Sequence, residues 1–113
     1  MTIDSPRALP DVDRLKIARY AGASGDFNPM HVDEAFARQA GMPSVIAHGP
    51  LTVSLVVDAL VAQGLNLTAV RSRLRAPVFP GESLALGPAG EGPGLQVTKE
   101  DGTVAVSVEI AVR

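Results

Sequence analysis

The apolar positions along this chain change period once, near the middle. Through the first half they recur at helical spacing. Asp11 or Asp13 can cap a short helix reaching about Ala21, with Leu15, Ile17 and Ala18 facing inward. Asp33 to Ala40 predicts a second short helix: Asp33 and Glu34 suit its positive N-terminus, Phe36 and Ala40 form an i, i+4 apolar pair, and Gly41 suits the position past its end. Pro50 to about Gln63 predicts a central helix, since proline is tolerated in a first turn and Gly64 can end it. Its Leu51, Val53, Leu55, Val56, Val57, Leu60 and Val61 spread apolar groups almost all the way round, and such a helix must be buried. Valines favour a strand, but about thirteen residues without a turn signal exceed a usual strand.

Beyond Gly64 the period becomes two. Val70, Ser72, Leu74 and Ala76 alternate with Arg71, Arg73 and Arg75, which predicts a strand with one face buried and one solvated. Pro77, Pro80 and Gly81 interrupt the pattern, Ser83 to Leu86 resumes it, and Gly87 to Gly94 reads as a loop. Leu95 to Lys99 and Val104 to Val112 pair across Glu100-Asp101-Gly102, with Val104, Val106, Val108, Ile110 and Val112 pointing one way. Helices first and antiparallel strands after predict an α+β fold, one domain over residues 1–113.

Composition narrows the function classes. A length of 113 residues supports one hydrophobic core. A formal charge of −2 argues against general nucleic-acid or membrane-surface binding. With no cysteine there is no disulfide framework, thiolate nucleophile or Cys-ligated zinc, a composition that suits the cytoplasm. Met1 to Pro10 lacks the basic-then-apolar pattern of a signal peptide, and Leu51 to Leu67 is too interrupted by polar residues to span a membrane. The expectation is a soluble cytoplasmic protein.

The chemistry is concentrated between Ala18 and Leu51. Asp26, Asn28 and His31 lie within six residues, flanked by Gly25 and Pro29, on what reads as a rigid loop. A carboxylate and an imidazole held this way form a usable acid/base pair. The same residues also suit an Asx-type turn that satisfies local backbone, and the residues alone leave both readings open. His48 and Gly49 stand just before the central helix, where backbone N–H groups lack intrahelical partners and the macrodipole is positive. Two histidines and Asp33 raise a metal site, but their spacing fits no standard motif. Arg71, Arg73 and Arg75 read chiefly as a solvated strand face, with contact to substrate phosphates as the minority reading.

The string Tyr20-Ala21, Ser24-Gly25-Asp26-Phe27-Asn28-Pro29-Met30-His31, Asp33, Ala40-Gly41, Ile46-Ala47-His48-Gly49 resembles the hydratase signature of MaoC-like (R)-specific enoyl-CoA hydratases, proteins of the hotdog fold. The resemblance implies an antiparallel sheet wrapped around a buried helix. It also implies hydration of trans-2-enoyl thioesters, or the reverse dehydration of (R)-3-hydroxyacyl thioesters, with Asp26 and His31 as the catalytic pair. Gly49 would contact the thioester carbonyl, Asn28 would orient the loop or make one polar contact, and His48 would sit beside the substrate. No metal or cofactor is implied. The expected substrate is an acyl-CoA or acyl-carrier-protein thioester. The expected assembly is a homodimer with an acyl tunnel between subunits, or a heteromer with a second hotdog chain. Because a carboxylate near its ordinary pKa of ~3.9 is a weak base, Asp26 is expected in a desolvating site.

The departure from the family lies before the first helix. Only about ten residues stand there, against a longer leader and an extra strand in typical members. Two other functions compete: a hotdog thioesterase, for which Asp58 is the sole carboxylate on the central helix, and a non-catalytic acyl-binding subunit.

Overall fold

The computed structural model describes residues 5–90 and 92–113. In chain order these form β1 (Arg7–Ala8), α1 (Arg14–Ser24), α2 (Pro29–Val32), α3 (Glu34–Gln39), α4 (Gly49–Ala62), β2 (Leu67–Leu74), β3 (Leu84–Pro88), β4 (Leu95–Lys99) and β5 (Val104–Val112). All pairings are antiparallel, in the order β1-β3-β4-β5-β2. The predicted α+β architecture is present, with α4 against one face of the sheet.

The core shows where α4 lies. Leu51, Leu55, Val56 and Leu60 form one buried cluster with Leu84 and Leu86 of β3, Leu95 and Val97 of β4, and Ala105, Val106 and Val108 of β5. β2 adds only the half-buried Leu67 and Val70. The predicted buried face of β2 is therefore corrected: within the strand only Val70 of that face is half-buried, and Leu74 is 58% exposed although its side chain lies beside Gly49 at the start of α4. Within one chain the sheet does not cover α4 all round: Val53 and Val57 are half-buried and Val61 is exposed.

β4 and β5 occupy the predicted bounds. Their turn uses Gly102 at φ 89°, a left-handed conformation that favours glycine, while Asp101 accepts the Thr103 N–H. Ala105 is buried as well as Val106 because a bulge between Val97 and Thr98 pairs Thr98 with Val104 and Val97 with Val106. Strict alternation along β5 cannot predict that extra inward residue. Ahead of α1 a two-residue strand pairs with β3, Arg7 opposite Leu86 and Ala8 opposite Ala85, so part of the chain read as an irregular leader is extended. Residues 1–4 of that leader lie outside the described residues.

α1 starts where predicted and runs longer, to Ser24. Asp13 is its N-cap, accepting the Lys16 N–H at 2.7 Å, and Gly25 closes it at φ 76°. Ile17 and Ala21 face the core, whereas Leu15 is 58% exposed, contrary to its predicted inward position. Replacing Asp13 with alanine should cost about 1 kcal/mol of stability, seen as a lower urea midpoint at unchanged slope. Arg14 on α1 grips both carboxylate oxygens of Glu34 on α3, at 3.0 and 2.9 Å, and this hydrogen bonding holds the Glu34 carboxyl below its ordinary pKa. The three short N-terminal helices thus form one layer around the Asp26 loop.

Candidate active site

The loop between α1 and α2 is built from side-chain bonds to its own backbone. Ser24 donates its hydroxyl to Tyr20 C=O at 2.7 Å and accepts the Asp26 N–H at 3.2 Å. Asp26 Oδ1 accepts the Asn28 N–H at 3.2 Å, and Asn28 Oδ1 accepts the Met30 N–H at 3.0 Å. Asn28 is the N-cap of α2 and Pro29 its first residue, so the stretch read as wholly irregular contains a helical turn. His31 sits on that turn. The Asx reading and the acid/base reading prove compatible. Asp26 spends one oxygen on the loop, and the other, Oδ2, lies 3.8 Å from His31 Nε2.

The His31 tautomer follows from its partner. Nδ1 lies 2.8 Å from the Ile46 C=O, which can only accept, so Nδ1 carries a proton, and Nε2 faces Asp26. At 3.8 Å the two groups are too far apart for a direct hydrogen bond, yet both can touch one water. The Asp26 side chain is 53% exposed and that of His31 only 12%. A single chain therefore does not supply the desolvation expected around Asp26.

His31 opens into a cavity of about 390 Å³, lined also by Gly49 and Thr52 of α4, Leu74 and Arg75 at the end of β2, and Val106. Gly49 is the first residue of α4. The helix receives no side-chain cap from His48, Pro50 carries no N–H, and the first turn closes from the Leu51 and Thr52 N–H groups to His48 C=O at 3.1 and 3.4 Å. The Gly49 N–H thus stands at an uncapped, positive helix end beside His31. A positive φ is not what Gly49 provides, since its φ lies outside that region. Space is: a Cβ there would collide with the Leu74 side chain.

His48 is 1% exposed. Its Nε2–H donates to the Asp26 C=O at 3.0 Å, and its ring stacks on His31 with centroids 3.8 Å apart and planes at 21°. This places it against Asp26 and His31 and outside the lining of the cavity. Asp26, His31 and His48 each offer a ligand atom within 4.8 Å of one another. A metal would need converging lone pairs, however, and two nearly parallel stacked rings direct theirs into separate planes. Asp33, the third ligand of the sequence-level metal reading, instead caps α3 by accepting the Phe36 N–H at 3.2 Å.

Asp58, the carboxylate a thioesterase would need, lines an adjoining groove that shares Gly49 and Leu74 with the cavity beside His31 but does not include His31. On the outer sheet face Arg71 is largely exposed beside Glu109, and Arg75 donates to Ser107 Oγ at 3.0 Å, as a solvated strand face would. Sequence reading missed Thr52, Leu74 and the Ile46 carbonyl. Thr52 had a signal, since it is a polar residue one turn from Gly49 within an apolar run. A carbonyl has none.

Comparison with known proteins agrees with this geometry. A family profile described as a MaoC like domain matches residues 4–112. The chain belongs to the MaoC-like family. The 3-hydroxyacyl-thioester dehydratase Y of Mycobacterium tuberculosis is 46% identical over 68 residues, covering 55% of this chain and 23% of that protein. The peroxisomal enoyl-CoA hydratase 2 of Arabidopsis thaliana is 43% identical over 67 residues, covering 54% of this chain and 21% of that protein. This MaoC-like chain therefore spans about a quarter of the length of these curated relatives. In three dimensions it superposes on the (R)-hydratase from A. caviae with a TM-score of 0.79 at 24% identity, covering all of this chain and 96% of the other. The fold is the hotdog fold.

Proposed function

We propose that this MaoC-like chain hydrates trans-2-enoyl thioesters to (R)-3-hydroxyacyl thioesters, or runs the reverse dehydration. The observation that carries the reading is the pairing of Asp26 Oδ2 with His31 Nε2, 3.8 Å apart and beside Gly49 at an uncapped helix start. The names of the relatives, dehydratase and hydratase, support it.

The chemistry has three requirements. A base removes a proton from water as its oxygen bonds to C3, an acid returns a proton to C2, and the charge that gathers on the thioester oxygen must be stabilised. The first two roles belong to Asp26 and His31, sharing one water. The third belongs to the Gly49 N–H and the positive end of α4. Asn28 holds the loop in shape. Substrates of this kind are carried on coenzyme A or an acyl carrier protein.

We place the active form in a dimer, with a second copy or a related chain. Support comes from apolar surface left open on one side, where Val61, Leu74 and Val112 are each more than half exposed, and from the outer edge of β2, which has no partner strand among the described residues. A second chain there would also shield the half-exposed Asp26.

The test is crotonyl-CoA with the purified chain, followed by loss of enoyl-thioester absorbance, thiol release and chiral analysis of product. Hydration to the (R)-3-hydroxy product is expected without free thiol. Thiol release instead of hydration would replace this reading with a thioesterase.

A further inference from the structure

His48 and Thr52 are the only polar residues in the buried interior among the described residues, and His48 is the ionisable one. Burying an imidazole is unfavourable unless its polar atoms find partners or its position serves a purpose. One nitrogen is satisfied: Nε2–H donates to the Asp26 C=O, 22 residues away in sequence. The other nitrogen, Nδ1, is buried with no hydrogen-bond partner. His48 therefore reaches both members of the acid/base pair without touching the atoms that would react. It holds Asp26 by its backbone and His31 by the flat of its ring.

We infer that His48 is a positioning residue for the Asp26–His31 pair, pinning the Asp26 peptide through Nε2–H and seating the His31 imidazole on its ring so that His31 Nε2 faces Asp26. The inference rests on the hydratase reading given above. Its physical content is twofold. A ring stacked at 3.8 Å restricts tilting of His31, whose other tether is the single bond to Ile46 C=O. A neutral ring face also accommodates the imidazolium that His31 becomes while it holds a proton, whereas two stacked cations at that separation would repel. Four groups face His48. The Tyr20 ring approaches from α1 with its centroid at 4.8 Å and a 54° tilt, the His31 ring from α2, and from the loop come both the Asp26 carbonyl and its carboxylate, an oxygen of which lies within 4.8 Å of a His48 ring nitrogen. None of these contacts gives Nδ1 a hydrogen bond.

Two-bond proton–nitrogen NMR of the wild-type chain tests this directly: His48 should carry a proton on Nε2, the nitrogen bonded to the Asp26 C=O, and His31 one on Nδ1, the nitrogen bonded to the Ile46 C=O. A His48 protonated on Nδ1 alone would overturn the assignment. Kinetics then separate positioning from mere structure. His48→Gln keeps an N–H donor for Asp26 but loses the ring, and His48→Phe keeps the ring but loses the donor. Each should lower kcat by about 10- to 100-fold with KM within about twofold, and His31 should lose its single tautomer. If both variants keep wild-type kcat and show only a lower melting temperature, His48 is structural and the inference fails. The NMR arm does not depend on turnover. A wild type silent toward enoyl thioesters would count against the hydratase reading and leave the test of His48 standing.

Discussion

Asp26→Asn and His31→Ala should each reduce hydration of crotonyl-CoA by about 10³-fold while leaving the fold intact. General acid–base assistance contributes ~10²–10⁴ to a rate, and either substitution removes one of the two groups that share the attacking water. Stability should change little for Asp26→Asn, because an asparagine Oδ1 can still accept the Asn28 N–H that closes the loop. His31→Ala gives up the bond to Ile46 C=O and the stack on His48, so some loss of stability is expected, but far less than unfolding. Circular dichroism at assay temperature checks this. Activity surviving in both variants would remove the Asp/His mechanism.

The second large effect is expected at Gly49. Alanine there suits a helix start and needs no unusual torsion, so the chain should fold normally. Its methyl, however, would enter the volume now held by the end of the Leu74 side chain. Leu74 is exposed and able to rotate, but both it and the new methyl border the cavity beside His31. A thioester oxygen would then be kept from the Gly49 N–H. Loss of one such donor costs ~10²–10³ in rate, so kcat should fall by about 10²-fold with a smaller change in KM. A Gly49→Ala enzyme with wild-type kcat would show that the amide is only part of a helix end. Trimming Leu74 to alanine in the same background should restore part of the loss if crowding is the cause.

Much of this site was legible in the sequence, for physical reasons that can be traced to particular residues. Asp13, Asp33 and the Asp101-Gly102 pair act through local backbone geometry, and each performs the predicted capping or turn role. Asp26 and His31 are close in sequence, so short-range geometry was enough to bring them together. The errors concern what lies across the fold. Leu15, Leu74 and Val61 were expected inside because pattern reveals which face is apolar but not what covers it. The helical turn at Pro29 was hidden because proline and glycine usually mark breaks, although Asn28-Pro29 is also a cap followed by a first helical residue. The extra inward residue at Ala105 comes from a bulge, which shifts register without a sequence signal. His48 illustrates the same limit. Its place beside the helix start was evident, but the stack on His31 and the bond to a carbonyl 22 residues back depend on the tertiary structure.

That Asp26 and His31 act as one unit on a single water is best tested by a double-mutant cycle. The measurement is kcat for crotonyl-CoA hydration by wild type, Asp26→Asn, His31→Ala and the combined variant. If the two groups serve one shared step, the double variant should be about as slow as the slower single, because the second substitution has nothing left to remove. Losses that multiply, so that the double variant falls by the product of the two single effects, would mean that the residues contribute independently and would contradict the shared-water pair.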